Sequence, residues 1–128
     1  MGQQQLLLII LGVIIVGIAI AVGLSLFTAN SIQANKDAII NDVNNIAANA
    51  YQYRIRTASM GGGNNSYVGY VIPSRLSSNS NATYVPSGQT ATACVITGSS
   101  IANAGCTVTG TLNVNGGLTL TFAGSDFQ

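Results

Sequence analysis

The sequence predicts an α+β protein in which a long N-terminal helix, hydrophobic and then amphipathic, packs on a small antiparallel β-sheet. Three observations lead there. Residues 1–35 hold no charged side chain, and Leu6 to Phe27 is an apolar run broken only by Gly12, Gly17, Gly23 and Ser25. The pattern then becomes periodic as far as Arg56 with no proline on the way. From Ser59 the chain is rich in Ser, Thr, Asn and Gly, and short alternating runs are separated by turn residues. The predicted organisation is therefore residues 1–27 as a hydrophobic helix, 28–58 as the amphipathic second part of the same helix, and 59–128 as a β-rich globular region.

At about 1.5 Å per residue, Leu6 to Phe27 reaches about 33 Å as a helix, enough to cross a bilayer core of about 30 Å. A cleaved secretory signal fits poorly. Such a signal needs a basic n-region, a shorter apolar core and a small-x-small cleavage site. Here Met1-Gly2-Gln3-Gln4-Gln5 carries no Lys or Arg, and Phe27-Thr28-Ala29 puts a bulky ring where a small residue is wanted. The first basic residue, Lys36, is followed at once by Asp37, so no positive flank sets the orientation of a span. The expectation is that Met1 begins a mature chain from which a basic leader has been removed.

In the second part of the helix, Ile32, Ile39, Val43, Ile46, Ala50 and Tyr53 recur at steps of three, four and seven, a heptad-type seam that Ile40 and Ala47 widen. Asn35, Asp37, Asn41, Asn44, Asn45 and Gln52 form the opposite face. Packing against the protein's own sheet accounts for this stripe. Arg54 and Arg56 close the helix, where cations suit the negative end of the macrodipole. Gly61-Gly62-Gly63-Asn64-Asn65 then stops it and makes a loop. That loop lacks the Gly-Lys-Ser/Thr ending of a phosphate-binding loop, which argues against a nucleotide.

Four strands are expected: Tyr67 to Ile72, stopped by Pro73; Thr90 to Thr97; Cys106 to Val114; and Leu118 to Phe122. Asn115-Gly116-Gly117 between the last two is a hairpin signal. Ser77 to Asn81 reads as a polar loop. Asn64-Asn65-Ser66 and Asn81-Ala82-Thr83 match the N-glycosylation pattern, and the hydroxyl-rich surface is equally suited to O-linked sugar.

Composition narrows the function. Among 128 residues there are four basic and three acidic side chains, no His and no Trp, for a net charge of +1. Binding phosphates needs clustered Lys and Arg, so this near-neutral balance argues against nucleic acid as a main ligand. Without His, and with Asp37, Asp42 and Asp126 scattered, general acid–base and triad designs have no constituents, so the chain is not expected to be an enzyme. No cofactor is implied. The five tyrosines (Tyr51, Tyr53, Tyr67, Tyr70, Tyr84) are better explained by packing than by electron transfer. Cys94 and Cys106, an even pair in a small region behind an apolar segment, point to a disulfide and an oxidising compartment. That bond would close a loop of about 13 residues and contribute roughly 3 kcal/mol. A metal role is poorer, since the spacing fits no zinc pattern.

The architecture, together with Met1-Gly2-Gln3-Gln4-Gln5-Leu6-Leu7-Leu8-Ile9-Ile10-Leu11-Gly12-Val13-Ile14-Ile15-Val16-Gly17, resembles the type IV pilin family and the related pseudopilins of type II secretion. The resemblance covers the whole layout, with sequence-level likeness in roughly the first 27 residues. It implies a leader cut by a dedicated prepilin peptidase, a methylated N-terminus, storage in the inner membrane and assembly by pilus machinery into an extracellular homopolymer. In such a filament Leu6, Leu7, Leu8, Ile9, Ile10, Leu11, Val13, Ile14, Ile15, Val16, Gly17, Ala21, Leu24 and Phe27 would pack as a central core. Small residues four apart, Gly17 with Ala21 and Ala19 with Gly23, would let backbones approach. Met1 and Gln5 would set the register between subunits.

Two departures stand out. Family members usually carry Glu where Gln5 stands, so the ion pair with a neighbour's terminal amine is replaced by, at most, a neutral hydrogen bond. The mid-span proline is missing too, and Gly17 and Gly23 are the candidates for its flexible point, each weakening a helix by about 1 kcal/mol relative to Ala. The alternatives are a periplasmic pseudopilin, disfavoured because only Asp126 is available for a C-terminal calcium loop, and a lone membrane-anchored binding module.

Overall fold

The structure, a computed structural model, describes residues 2–127. Its elements are α1 (Gly2–Ile55), a 3-10 turn (Ala58–Met60), β1 (Ala82–Ser87), β2 (Cys94–Ser100), β3 (Thr107–Leu112) and β4 (Leu118–Ala123). The expected α+β arrangement is present, one long helix and an antiparallel sheet in the order β1-β2-β3-β4. By internal contacts the chain divides into two units, Met1–Ser31 and Ile32–Gln128. Residues 2–31 of the first are helix alone, unbroken through Gly12, Gly17 and Gly23.

In the second unit the helical seam packs as its spacing predicts. Ile39, Val43, Ile46, Ala47 and Ala50 are buried, and Ile32, Ile40 and Tyr53 pack half-buried around them. Full burial of an aliphatic side chain contributes about 1.5–3 kcal/mol, so this seam is a large share of the stability of residues 32–127. The sheet meets it with Ala82 and Tyr84 from β1, Cys94 and Ile96 from β2, and Val108 and Leu112 from β3. Two glycines let the helix come close. A Cβ on Gly98 would lie 3.0 Å from Ile39 Cγ2 and 2.8 Å from the Tyr84 ring, and one on Gly110 would lie 2.8 Å from Val43 Cγ1.

The end of α1 is built from its own loop. Gly63 N–H donates to the Tyr53 carbonyl (2.8 Å), Asn65 N–H to that of Arg54 (2.6 Å) and Asn64 N–H to that of Arg56 (2.9 Å). The last-turn carbonyls of Tyr53 and Arg54, which the helix itself leaves unpaired, are thereby satisfied. The turn needs left-handed backbone at Gly61, Asn64 and Asn65, with φ of 77°, 51° and 68°.

The expected strand at Tyr67–Ile72 is instead an irregular loop. Strand alternation would put Tyr67 and Tyr70 on opposite faces, yet Tyr67, Tyr70 and Ile72 are all buried. A turn resolves this: Gly69 takes φ of 84°, and Tyr70 N–H donates to the Tyr67 carbonyl (3.1 Å). The strand it was expected to supply comes from Ala82–Ser87, which sequence reading left unassigned. Its Pro86 is compatible with an edge position. The expected second strand begins late, because Thr90 N–H donates to the Ala93 carbonyl (2.8 Å) and Thr90 Oγ1 accepts from Ala93 N–H (3.0 Å), closing a turn. The last hairpin forms as predicted, with Asn113 Oδ1 accepting from the N–H groups of Asn115 and Gly117.

The expected Cys94–Cys106 disulfide is absent: both cysteines are free and buried. Register explains why. Cys94 pairs with Leu112 at one end of β2 and β3, whereas the Cys106 carbonyl accepts from Ser100 N–H (2.9 Å) at the other. Six residues of strand separate the two levels, about 20 Å at 3.3 Å per residue, while a disulfide needs Cα atoms about 4.4–6.8 Å apart.

Candidate functional site

The candidate site is the apolar surface of α1 between Leu6 and Phe27. Its large hydrophobic side chains are 52–72% exposed, from Leu11 at the low end to Phe27 at the high end. The buried core of residues 32–127 is, by contrast, at most 5% exposed at any apolar residue. All the residues expected to pack in an apolar core, Leu6 through Phe27, lie on this one helix, and none is buried by the described residues. The apolar character also runs around the whole helix, since Leu6, Leu7, Leu8, Ile9, Ile10 and Leu11 occupy successive positions more than one full turn long. A helix hydrophobic on every side belongs in an apolar surround, either a large core or a membrane. It is long and apolar enough to cross a membrane.

Gly12, Gly17 and Gly23 have nothing within 4 Å of where a Cβ would sit, so no contact within the chain requires glycine there. Gln5 lies in the exposed helical segment. Met1, its expected partner in register, lies outside the described residues. Two shallow open grooves, one between Gln3, Leu6, Leu7 and Ile10 and the other between Gln4, Leu7, Leu8 and Leu11, are gaps between side chains of a single helix. The surface offers dispersion and exclusion of water, with polar side chains from the glutamines before its start and from Ser25 near its end.

A second constellation escaped the sequence reading. Asn35, Asp42 and Asn49 recur every seven residues along the flank of the apolar seam, and each is bonded to the sheet or its loops. Ser100 Oγ and Asn103 Nδ2 donate to Asn35 Oδ1 (2.7 and 3.2 Å). The Tyr84 hydroxyl and Asn79 Nδ2 donate to Asp42 Oδ2 (2.5 and 2.8 Å). The Tyr70 hydroxyl donates to Asn49 Oδ1 (2.8 Å). Asn35, assigned to the solvent face, is thus half-buried and bonded, while Asp37, Asn41, Asn44, Asn45 and Gln52 are exposed as expected. The seven-residue recurrence was the available signal.

Burial holds the Tyr70 and Tyr84 phenols well above their ordinary range, with Asp42 adding to the rise at Tyr84. Burial also lifts Tyr67, against the nearby Arg54 charge, and pushes the Cys94 thiol up to about 11. These shifts favour neutral, protonated side chains, which suits a fixing role. Arg54, expected simply to close the helix, holds its guanidinium 5.6 Å from the Tyr67 ring centre, and Lys36 Nζ lies 4.2 Å from that of Phe122. Among the described residues, no three His, Cys, Asp or Glu side chains gather as a metal site.

No family model, curated protein or solved structure matches the chain.

Proposed function

We propose that the chain is a structural subunit that polymerises through its N-terminal helix into an extracellular type IV pilus-like filament. One observation carries the reading: an all-round apolar helical surface, uncovered from Leu6 to Phe27, continues as the same α-helix into the core helix of a folded α+β region. Exposing this much apolar surface to water costs about 25 cal/mol per Å². The surface therefore needs a permanent apolar surround. In the membrane lipid supplies it, and in the filament other copies of the same helix replace lipid. The glycines with open space at Gly12, Gly17 and Gly23 support close helix–helix approach, as small residues do between membrane helices.

In this reading the chain is held in the inner membrane after a leader has been cut by a prepilin peptidase, and pilus machinery draws it into the fibre. With Gln at position 5, the subunit contact near the N-terminus involves an amide and no buried carboxylate. Apolar packing, with its broad tolerance, then dominates the choice of register.

Electron microscopy of material sheared from cells, with mass spectrometry of its main protein, tests this. The expected result is thin fibres made of this chain with a processed, methylated N-terminus. Protein found only in membranes, extracting in detergent as a monomer, would replace the filament with a membrane-anchored module.

A further inference from the structure

Along the outer edge of β1 runs Ser77-Ser78-Asn79-Ser80-Asn81, a stretch without an apolar side chain. It lies between two anchored residues, Leu76, which packs against the core, and Ala82, which is buried in it. Ser78, Asn79 and Ser80 are exposed. With nothing apolar to bury, the stretch is held by hydrogen bonds, and it spends them on finishing the sheet edge. The backbone groups of β1 that face away from β2 belong to alternate residues, Ala82, Tyr84 and Pro86. Ala82 N–H donates to Asn79 Oδ1 (3.0 Å), Tyr84 N–H donates to the Ser77 carbonyl (2.8 Å), and Pro86 has no N–H. Asn79 N–H returns a bond to the Ala82 carbonyl (3.0 Å), and Ser78 bridges to Thr83. Each outward donor of this edge is thus covered or missing, which keeps an edge from recruiting another strand.

The stretch is fastened to α1 through Asn79. Its Nδ2 donates to Asp42 Oδ2 (2.8 Å), the same oxygen that accepts from the Tyr84 hydroxyl (2.5 Å), while its Oδ1 also accepts from Asn81 N–H (2.8 Å). Ile101 N–H (3.0 Å) and Asn35 Nδ2 (3.5 Å) donate to the Asn81 carbonyl, and these secure only the end next to β1. We infer that Ser77–Asn81 is a strap that opens and closes over the edge of β1 while the rest of the fold stays intact, and that Asp42 is its latch. Segments with few buried apolar contacts and solvent-exposed hydrogen bonds open locally, at a lower free energy than global unfolding. Closure rests on the bond to Asp42 because a carboxylate acceptor makes a hydrogen bond about twice as strong as a neutral one. Opening frees the N–H groups of Ala82 and Tyr84 and turns a guarded edge into one that pairs. Leu76 and Ala82 stay packed and act as the hinges. The strap works within one chain, so it is the same whether α1 lies in a membrane or in a filament.

Native-state hydrogen exchange of the full chain in detergent, read amide by amide at low urea, tests this. The reporter is Tyr84 N–H, whose acceptor is a backbone carbonyl that survives every substitution used. In the wild type it is expected to exchange faster than the N–H groups of β2 and β3 and at a rate nearly independent of urea, since opening a strap exposes little surface. The β2 and β3 rates should climb steeply with urea. Asp42→Ala should speed exchange at position 84 about tenfold, the loss of one hydrogen bond to a charged group, with the weak urea dependence kept. Asp42→Asn, which keeps an acceptor oxygen without the charge, should act in the same direction and more weakly, and it carries the test where Asp42→Ala does not fold. Asn79→Ala should match Asp42→Ala at position 84. Tyr84→Phe removes the other bond to Asp42, which is present with the strap open or closed. It should therefore speed β2 and β3 and leave position 84 as it was. A wild-type rate at Tyr84 that climbs with urea as steeply as those of β2 and β3 would overturn the strap. No acceleration there in the Asp42 variants, or an equal one from Tyr84→Phe, would overturn the latch.

Discussion

Leu11 and Val43 are aliphatic residues of the same α-helix, yet Val43 is fully buried and Leu11 is half exposed. Around Leu11 every side of the helix is apolar and no part of the chain covers it. Around Val43 one side is apolar and buried, a second carries Asn35, Asp42 and Asn49 bonded to the sheet or to loops, and a third is polar and exposed. Helical propensity does not separate the two stretches. What differs is the surround each surface is written for: the protein's own sheet in residues 32–55, and something outside the chain in residues 2–31. This comparison turns a hydropathy pattern into a claim about assembly, and it can be attacked from either side.

The largest effect is expected from a charge in the first stretch. Val16→Arg places a cation near the middle of the apolar run, where insertion into a bilayer costs about 2.5–3.5 kcal/mol. Membrane retention should fall about a hundredfold on alkaline extraction, and sheared fibres should vanish. The circular dichroism of the β-rich region should not change, since Val16 is exposed and belongs to the other unit. A coupled loss of fold would break the division between the stretches.

The reverse experiment is Ile46→Ala. This side chain is 1% exposed in the seam, and emptying such a site costs about 2–5 kcal/mol. For a domain of this size that corresponds to a fall in Tm of about 8 °C or more. Membrane retention should stay as in the wild type. Together the two variants ask whether one helix carries two independent functions.

A smaller effect comes from the polar flank. Phenols and thiols are neutral when protonated, and burial raises the folded values of Tyr67, Tyr70, Tyr84 and Cys94 above their unfolded ones. As pH rises the unfolded chain loses these protons first, so the folded state binds more protons and stability falls with pH. Stability is therefore complete below about pH 9 and declines above it, first through Cys94, whose ordinary value of 9.0 rises to about 11, and then through the tyrosines. Tyr84→Phe should flatten this alkaline decline in Tm while losing the bond to Asp42. A Tm that is level up to pH 11 would contradict the burial of these groups.

How much could be read in advance follows the same division. The long helix, its change from all-round apolar to one-sided, and the Asn115-Gly116 hairpin were legible because each rests on local periodicity or local turn chemistry. The burial of Ile39, Val43, Ile46 and Ala50 followed from spacing alone. What was not legible depends on contacts distant in sequence. Tyr67–Ile72 has strand-forming residues, yet Gly69 turns it so that both tyrosines face the core. Ala82–Ser87, given no element from the sequence, contains Pro86, and its place at the sheet edge makes proline acceptable. Phe127, 1% exposed, sits among polar residues near the end of the chain with no periodicity to announce it. Asn35 looked like a solvated amide until Ser100 and Asn103 came to it across more than 60 residues of chain.

The cysteines give the smallest expected effect and the sharpest contrast with sequence reasoning. Their even number behind an apolar segment suggested a bond, but a pair count carries no information on register. With Cys94 level with Leu112 and Cys106 level with Ser100, the sulfurs sit at opposite ends of one hairpin, and closing them would require unpairing β2 from β3. The hydrogen bonds and packing of two central strands would be lost for one covalent link of roughly 3 kcal/mol. Adding a thiol reductant to the full-length protein should therefore leave its Tm unchanged. Alkylation should label both cysteines in the unfolded chain without prior reduction, and the buried pair should resist labelling in the folded one. A Tm that dropped on reduction would overturn this register, and with it the depth at which the helical seam from Ile39 to Ala50 meets the sheet.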